Sequence, residues 1–220
     1  MILRRKYLRN LRNSLYVIID PDVCLSNPLE VTKNVIKGGA DIIQLRYKKQ
    51  SDFEFLKLAE SISKICHKFN IPFLINDRVD VAILVNADGV HLGQDDLPVN
   101  FVRKLLKNKI IGLSTHNKRE VNFAIRLDVD YISFGPIFKT STKLGLPEPV
   151  GLTGLKDIRR FVEKPLIAIG GINEENVRDV IKAGADGIAV ISAICKSNNV
   201  LTTTRNIKNE ILKGKNSINL

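Results

Sequence analysis

Two aspartates, each placed just after a short apolar run, are the residues whose chemistry can be predicted first. Asp77 follows the run at 73–75, and Asp96 follows the run at 89–92. An apolar stripe of helical spacing lies between the runs, so the segment predicts strand, helix and strand in a parallel sheet. Carboxyl ends of such strands meet at one rim, where paired carboxylates suit a divalent cation such as Mg²⁺ with phosphate as a further ligand. The alternative is that each aspartate caps the following helix.

Other predicted strand ends carry basic and hydroxyl side chains. These are Arg46, Lys48, Ser114, Thr140, Ser141, Thr142 and Lys143. Cations beside a metal-bound diphosphate would stabilise the charge that develops as a C–O bond breaks. Gly170-Gly171 and Ile191-Ser192 each precede a helix and predict a phosphate site of backbone N–H groups, although Gly170-Gly171 is also typical of a tight turn. Two anion sites indicate two phosphorylated substrates, or one substrate with phosphate at both ends.

The three histidines give weaker signals. His67 lies late in a predicted helix and is expected at the surface. His91 lies inside the fourth predicted strand and is expected in the core or barrel interior. His116 lies at the rim, but the sequence identifies no carboxylate partner for it, so no proton-transfer role is assigned.

Alternating strand and helix patterns predict a single-domain α/β protein with a closed (β/α)₈ TIM barrel. Apolar runs of strand length lie at 15–19, 41–45, 73–75, 89–92, 109–113, 131–134, 166–169 and 187–191. A weak repeat falls where predicted helices end and strands begin. It reads Gly-Gly-Ala-Asp at 38–41, Asn-Ala-Asp-Gly at 86–89 and Ala-Gly-Ala-Asp-Gly at 183–187, and Asp-Val-Asp at 128–130 holds a similar place. The rival is a doubly wound sheet, which often has a Gly-rich first turn, whereas the first turn here is Asp20-Pro21-Asp22. The barrel is expected over 15–213, with a basic lead-in at 1–14 and a disordered tail at 214–220.

Composition limits the classes of partner and compartment. No apolar run reaches the length of a membrane span, and the basic N-terminus lacks the features of a secretory signal. The net charge is +11, but Lys and Arg are spread along the chain and Trp is absent, which favours anionic small molecules over nucleic acid. Cys24, Cys66 and Cys195 lie far apart and show neither a disulfide framework nor metal-ligand spacing, which predicts a reducing cytoplasm.

Several stretches, in the same order along the chain, resemble those of the thiamine-phosphate synthase family. They are Gln44-Leu45-Arg46-Tyr47-Lys48, Ile75-Asn76-Asp77, His91-Leu92-Gly93-Gln94-Asp95-Asp96, Gly112-Leu113-Ser114-Thr115-His116, Gly135-Pro136-Ile137-Phe138, Thr140-Ser141-Thr142-Lys143, Gly170-Gly171-Ile172 and Ile191-Ser192-Ala193-Ile194. Each is weak alone, and together they are specific. The resemblance implies a transferase that joins 4-amino-2-methyl-5-hydroxymethylpyrimidine diphosphate to a thiazole phosphate by dissociative loss of diphosphate.

The resemblance also implies a role for each candidate residue. Asp77 and Asp96 would hold Mg²⁺. The pyrimidine diphosphate would bind to Gln44, Arg46, Lys48, Asn76, Ser114 and Lys143, of which Arg46, Lys48, Ser114 and Lys143 would be catalytic. The thiazole phosphate would bind to Thr140, Ser141, Thr142, Gly171, Ile191 and Ser192. The segment 144–150 departs from the family pattern and bears on how the loop closes.

Two other functions stay open at this point. A thiazole tautomerase would use the same barrel without diphosphate chemistry, but such relatives lack the full metal and diphosphate set. A catalytically idle barrel would bind thiazole phosphate or nucleic acid as a scaffold, and the intact set of cations and acids counts against it. The expected partners are phosphorylated small molecules, with neither nucleic acid nor membrane, and a homo-oligomer is left open.

Overall fold

A closed barrel of parallel strands forms the centre of the protein. The computed structural model describes residues 11–49, 51–142, 145 and 147–217. Its strands are β1 (Ser14–Ile19), β2 (Ile42–Leu45), β3 (Phe73–Asn76), β4 (Gly89–Leu92), β5 (Ile110–Thr115), β6 (Tyr131–Phe134), β7 (Leu166–Ile169) and β8 (Gly187–Val190). Each strand pairs with its neighbours in sequence, and β1 pairs with β8 to close the barrel. The (β/α)₈ prediction is therefore confirmed over the doubly wound sheet.

Helices cover the outside of the barrel. They are α1 (Pro28–Gly38), α2 (Asp52–Lys68), α3 (Val79–Leu84), α4 (Val99–Leu105), α5 (Lys118–Ala124), α6 (Gly151–Arg159), α7 (Val177–Lys182), α8 (Ser192–Cys195) and α9 (Val200–Asn216). In α2, for example, Ser51 and Glu54 form a capping box, and Phe55, Ala59 and Ile62 are buried at helical spacing. Within the described ranges, no helix has the length and apolar character needed to cross a membrane.

Alternation along the strands creates two cores. In β1, Leu15, Val17 and Ile19 pack outward against the helices, while Tyr16 and Ile18 point into the barrel. The barrel interior is completed by Ile42, Leu74, Ile110, Tyr131, Ile167 and Ala189. The two inward tyrosines bring hydroxyl groups into this interior, where the buried side chains of Gln44 and His91 contact them.

An aspartate before every second strand ties the amino-terminal end of the barrel together. Asp41, Asp88, Asp130 and Asp186 precede β2, β4, β6 and β8, and each accepts a hydrogen bond from a backbone N–H in the preceding strand. The donors are Leu15 (2.7 Å to Asp41), Phe73 (2.9 Å to Asp88), Ile111 (2.8 Å to Asp130) and Leu166 (2.9 Å to Asp186). The weak sequence repeat is thus a structural repeat at the end of the barrel opposite the candidate site.

Both predicted ends of the barrel need correction. Leu11, placed in the lead-in, is buried beneath the barrel and accepts a hydrogen bond from Ser14 Oγ at 2.8 Å, because it closes the bottom of the interior core. The predicted tail began at 214, but α9 continues to Asn216 and buries Gly214 against α7. The predictions for residues 1–10 and 218–220 lie outside the described residues.

Candidate active site

The carboxyl ends of the strands surround a cavity of about 340 Å³, a volume typical of small-molecule sites. The predicted site residues that line it are Gln44, Arg46, Lys48, Asn76, Asp77, Asp96, Ser114, Thr140, Thr142, Gly171, Ile191 and Ser192. Ser141 is exposed and is absent from the lining, and Lys143 lies outside the described residues. The cavity therefore gathers residues from both predicted anion sites.

The two aspartates do not cap helices. Asp77 follows β3 with a positive φ of 62°, and α3 and α4 begin at Val79 and Val99 without a side-chain cap. Asp96 instead accepts a hydrogen bond from the backbone N–H of Gly93 at 2.6 Å, which folds the turn after β4 back over the rim. The capping alternative is therefore wrong for both residues. A non-glycine residue held at positive φ carries backbone strain of the kind that clusters at functional sites.

The carboxyl groups of Asp77 and Asp96 are close enough to affect each other. Burial and the neighbouring Asp77 carboxyl raise the pKa of Asp96 above its usual value. Lys48 makes an ion pair with Asp77 from the cavity side, and its side chain is 51% exposed. The pair, called the acidic pair below, is thus a concentration of negative charge with one mobile cation beside it.

The donor set of the acidic pair fits Mg²⁺ bound together with a phosphorylated ligand. Within the residues described, no cluster of three or more His, Cys, Asp or Glu side chains could enclose a metal. Mg²⁺ commonly takes only one or two carboxylates and completes its shell with phosphate oxygens and water. Two adjacent carboxylates at an open cavity match that pattern, and they do not match a closed structural site.

A buried carboxylate fixes the second cation of the rim. Arg46 makes an ion pair with Asp20, whose side chain is fully buried at the end of β1. The Asp20 carboxylate also accepts a hydrogen bond from the backbone N–H of Asp22 at 3.1 Å, so it is held from two sides. Arg46 therefore has a fixed position, whereas the Lys48 side chain is half exposed and can move between partners.

The opposite side of the cavity is built from backbone turns. Gly171 has a φ of +65°, and a Cβ built on it would lie 2.6 Å from the carbonyl oxygen of Lys139. Gly170-Gly171 does form a tight turn, and this turn and Ser192 at the start of α8 both line the cavity, so the phosphate-site prediction stays a prediction. Thr140 and Thr142 face the same cavity and lie 3.3 Å apart through their hydroxyl groups.

Sequence comparison decides the family. The profile of the family described as thiamine monophosphate synthase matches residues 15–194. The chain belongs to this family. It is 43% identical over 197 residues to the thiamine-phosphate synthase of Clostridium novyi (strain NT), covering 89% of this chain and 97% of that protein. It is 46% identical over 198 residues to that of Persephonella marina (strain DSM 14350 / EX-H1), covering 89% and 94%.

A solved structure agrees with the sequence comparison. The chain is similar to the thiamine phosphate pyrophosphorylase from Pyrococcus furiosus, with a TM-score of 0.86 and 35% sequence identity. The match covers 94% of this chain and 98% of that one. The resemblance noted from the motifs is therefore confirmed over nearly the whole barrel, including every strand.

Beneath the family's motifs, a chain of buried hydrogen bonds crosses the barrel. The Gln44 side-chain nitrogen donates to the Tyr16 hydroxyl at 2.6 Å, and the two tyrosine hydroxyls, Tyr16 and Tyr131, lie 3.0 Å apart. Tyr131 Oη lies 2.7 Å from His91 Nδ1, and His91 Nε2 lies 2.8 Å from Ser114 Oγ. These five residues, called the tyrosine relay below, connect two of the predicted pyrimidine-binding residues, and His91 is in the barrel interior as predicted.

The amide of Gln44 fixes the first donor of the relay, because its nitrogen can only donate to the Tyr16 hydroxyl. Either tyrosine hydroxyl can donate in the bond between them, and the donors at His91 depend on its tautomer. In the arrangement that continues the direction from Gln44, Tyr16 donates to Tyr131, Tyr131 to Nδ1 of His91, and Nε2 of His91 to Ser114, whose own proton is then left for a ligand. Burial raises the pKa of both tyrosines, so both keep their protons. In the described part of the chain, Gln44 Oε1 is buried without a hydrogen-bond partner, which makes it an acceptor for a ligand N–H.

His116 has the carboxylate partner that the sequence analysis did not identify. Its Nδ1 lies 2.9 Å from Glu120 Oε2, and the same oxygen accepts a hydrogen bond from the His116 backbone N–H at 2.8 Å. The spacing of four residues was available as a signal, since it brings side chains together at the start of a helix. Of this pair, His116 lines the cavity, and His67 is exposed as predicted.

Proposed function

We propose that this chain is a thiamine-phosphate synthase that joins a pyrimidine diphosphate to a thiazole phosphate. The supporting observation is that one cavity in a chain of this family contains both the acidic pair with Arg46 and Lys48 and, opposite them, the turns at Gly171 and Ser192. Two anions bound on opposite sides of a cavity this small would bring their organic groups into contact.

The binding roles follow from the polar groups on each side of the cavity. Arg46 and Lys48, with Lys143, would contact the diphosphate, and Asn76 would contact the same substrate. The Gln44 carbonyl oxygen accepts and the Ser114 hydroxyl donates, a combination that suits an aminopyrimidine, which offers an N–H and a ring nitrogen. Backbone N–H groups at Gly171, Ile191 and Ser192, with the hydroxyls of Thr140 and Thr142, would hold the thiazole phosphate, whereas Ser141 lies outside the cavity lining and has no role in this proposal.

Asp77 and Asp96 would hold Mg²⁺, which when bound neutralises charge on the diphosphate and makes it a better leaving group. Arg46, already fixed by Asp20, needs no reorganisation to stabilise charge on the departing oxygen. Lys48 would exchange its ion pair with Asp77 for one with the diphosphate.

The bond changes require no proton transfer. The C–O bond between the pyrimidine methylene and the diphosphate breaks, and the diphosphate takes both electrons. The resulting methylene cation is captured by the lone pair of the thiazole nitrogen, which forms the C–N bond of thiamine phosphate. The chain's contribution is therefore to orient the two substrates, to stabilise the leaving charge and to exclude water from the cation.

The test is a coupling assay on the purified protein with both substrates and Mg²⁺. Thiamine phosphate and diphosphate should appear in equal amounts, and omission of either substrate or chelation of the metal should abolish both. Folded protein that forms no product would contradict the proposal, and isomerisation of the thiazole without coupling would favour a tautomerase. A cytoplasmic location is part of the proposal, and cell fractionation tests it.

A further inference from the structure

Two cysteines that are far apart in sequence lie side by side at the rim. Cys24 is in the loop after β1, Cys195 is the last residue of α8, and their sulfur atoms are 2.7 Å apart across 171 positions of sequence. Nothing in the sequence indicates this contact, because the two cysteines come together only when β1 pairs with β8 and closes the barrel.

Backbone hydrogen bonds fix the two segments that carry the sulfurs. The Leu25 N–H donates to the carbonyl oxygen of Cys195 at 3.0 Å, and the Cys24 N–H donates to the carbonyl oxygen of Asp20 at 2.9 Å. The first bond joins the two segments directly beside the sulfurs, and the second fixes the loop that carries Cys24. Because the sulfurs are 2.7 Å apart, they would need to approach by only about 0.7 Å to reach the disulfide length of about 2.05 Å.

The two thiols differ in exposure and acidity. Cys24 is partly exposed, whereas Cys195 is 1% exposed. The hydrogen bond from Cys24 lowers the pKa of Cys195, and the same hydrogen bond, with burial, raises the pKa of Cys24. A small oxidant reaches the pair from the Cys24 side, and Cys195 has the character of the thiolate that closes a disulfide.

From this geometry we infer that Cys24 and Cys195 form an oxidation site, which a hydroperoxide converts to an intramolecular disulfide linking the β1–α1 loop to α8. The inference does not depend on the proposed function. It assigns a covalent modification to two residues that have no part in the coupling reaction.

The oxidation balances in two steps. The Cys24 sulfur attacks a peroxide oxygen, the O–O bond breaks, and the products are a sulfenic acid and one water. The Cys195 sulfur then attacks the Cys24 sulfur, the S–O bond breaks, and hydroxide leaves with the remaining thiol proton as a second water. In total, two thiols and one hydrogen peroxide give one disulfide and two waters, and two electrons pass from sulfur to oxygen. The raised pKa of Cys24 makes the first step slow, so millimolar peroxide is the appropriate probe.

The disulfide would cross-link the barrel where its first and last strands, β1 and β8, meet. It would join the loop after β1 to α8, and it would close a loop across 171 positions of sequence in the unfolded state. We expect the oxidised protein to melt about 5–15 °C higher than the reduced protein, with the gain reversed by dithiothreitol.

The experiment treats the full-length folded protein with hydrogen peroxide and measures intact mass, non-reducing peptide maps and melting temperature. The wild type should lose the mass of two hydrogen atoms and yield a Cys24–Cys195 peptide link. Cys24→Ser and Cys195→Ser should yield no link and no gain in melting temperature. Cys66→Ala is the matched control, since Cys66 is buried on α2, and it should form the link like the wild type.

Two results would overturn the inference. One is oxidation of Cys24 to sulfinic or sulfonic acid without a link. The other is a link in the wild type that involves Cys66.

Discussion

At the residue scale, the site consists of charges and dipoles fixed before any ligand binds. Arg46 is held by buried Asp20, Asp96 by the Gly93 N–H, and Ser114 by the tyrosine relay. Lys48 is the contrast, because it is half exposed and pairs with Asp77 from the cavity side. Preorganised groups of this kind suit a reaction in which the protein stabilises developing charge and makes no covalent bond.

The acidic pair can be tested by removing one charge at a time. Asp77→Asn and Asp96→Asn should each lower kcat/KM by about 10²–10³-fold, the effect expected from losing one preorganised stabilising group. The Mg²⁺ concentration for half-maximal rate should also rise in both variants. Asp179→Asn is the control and should keep activity, since Asp179 is exposed on α7 and lies outside the cavity lining. Steady-state kinetics across a Mg²⁺ titration measures all three, and equal losses in the three variants would argue against a specific metal site.

We expect the tyrosine relay to run from Gln44 to Ser114, which sets the tautomer of His91. Nitrogen-15 NMR of the wild type should then show the His91 proton on Nε2, because Tyr131 would donate to Nδ1. Tyr131→Phe removes that donor, so the Nε2 preference should weaken and KM for the pyrimidine diphosphate should rise about tenfold, the cost of one buried hydrogen bond. KM for the thiazole phosphate should not change. With only three histidines in the chain, the signals of His67 and His116 serve as internal controls. A proton on Nδ1 in the wild type would mean that the hydrogen bonds at His91 run in the opposite direction.

At the element scale, strand ends and the turns after them position the site. The strands were predictable because their apolar runs are short and bounded by polar turns, and Asp77, Asp96 and Arg46 could be placed at the rim from those runs alone. The tyrosine relay could not be predicted, since Tyr16 and Tyr131 meet across 115 positions only when barrel register is known. The partner of Arg46 was missed although Asp20 directly follows the first predicted strand.

Two glycines with the same backbone angle separate conformational strain from a steric clash. Gly171 and Gly151 both have a φ of +65°, but a Cβ at Gly171 would meet the Lys139 carbonyl oxygen while a Cβ at Gly151 would have open space. Gly151→Ala should cost about 1–2 kcal/mol of stability, the price of the left-handed conformation alone. Gly171→Ala should cost more and raise KM for the thiazole phosphate. Urea unfolding and substrate titrations measure both effects, and an unchanged KM in Gly171→Ala would separate this turn from phosphate binding.

The aspartate repeat at the amino-terminal end predicts a stability effect without a catalytic one. Asp130→Ala removes a buried partner of Arg103 and the acceptor for the Ile111 N–H, so the free energy of unfolding should fall by about 3–5 kcal/mol. Asp157→Ala breaks an exposed pair with Arg160 and should change it by less than about 1 kcal/mol. Chemical denaturation gives both values. A similar kcat for folded Asp130→Ala is expected, and a large loss of kcat would show that the two ends of the barrel are coupled.

At the scale of the whole molecule, the residues that stabilise the barrel and the residues of the candidate site lie at opposite ends of it. Its amino-terminal end is tied by the aspartate repeat and closed by Leu11, and its carboxyl end holds the cavity. The fold class was predictable because it depends on the number and order of local patterns. Contacts that form only when the barrel closes, such as those between Cys24 and Cys195 or across the tyrosine relay, follow from three-dimensional register and leave no local signal.

The central claim is that the acidic pair holds the cation of a bound diphosphate. A crystal soaked with diphosphate and Mn²⁺, which replaces Mg²⁺ and gives an anomalous signal, tests it directly. The account predicts a metal peak bonded to the carboxylates of both Asp77 and Asp96, a diphosphate oxygen on the same metal, and Lys48 moved from Asp77 to the diphosphate. A bound diphosphate whose metal touches neither aspartate, with Lys48 still paired to Asp77, would contradict it.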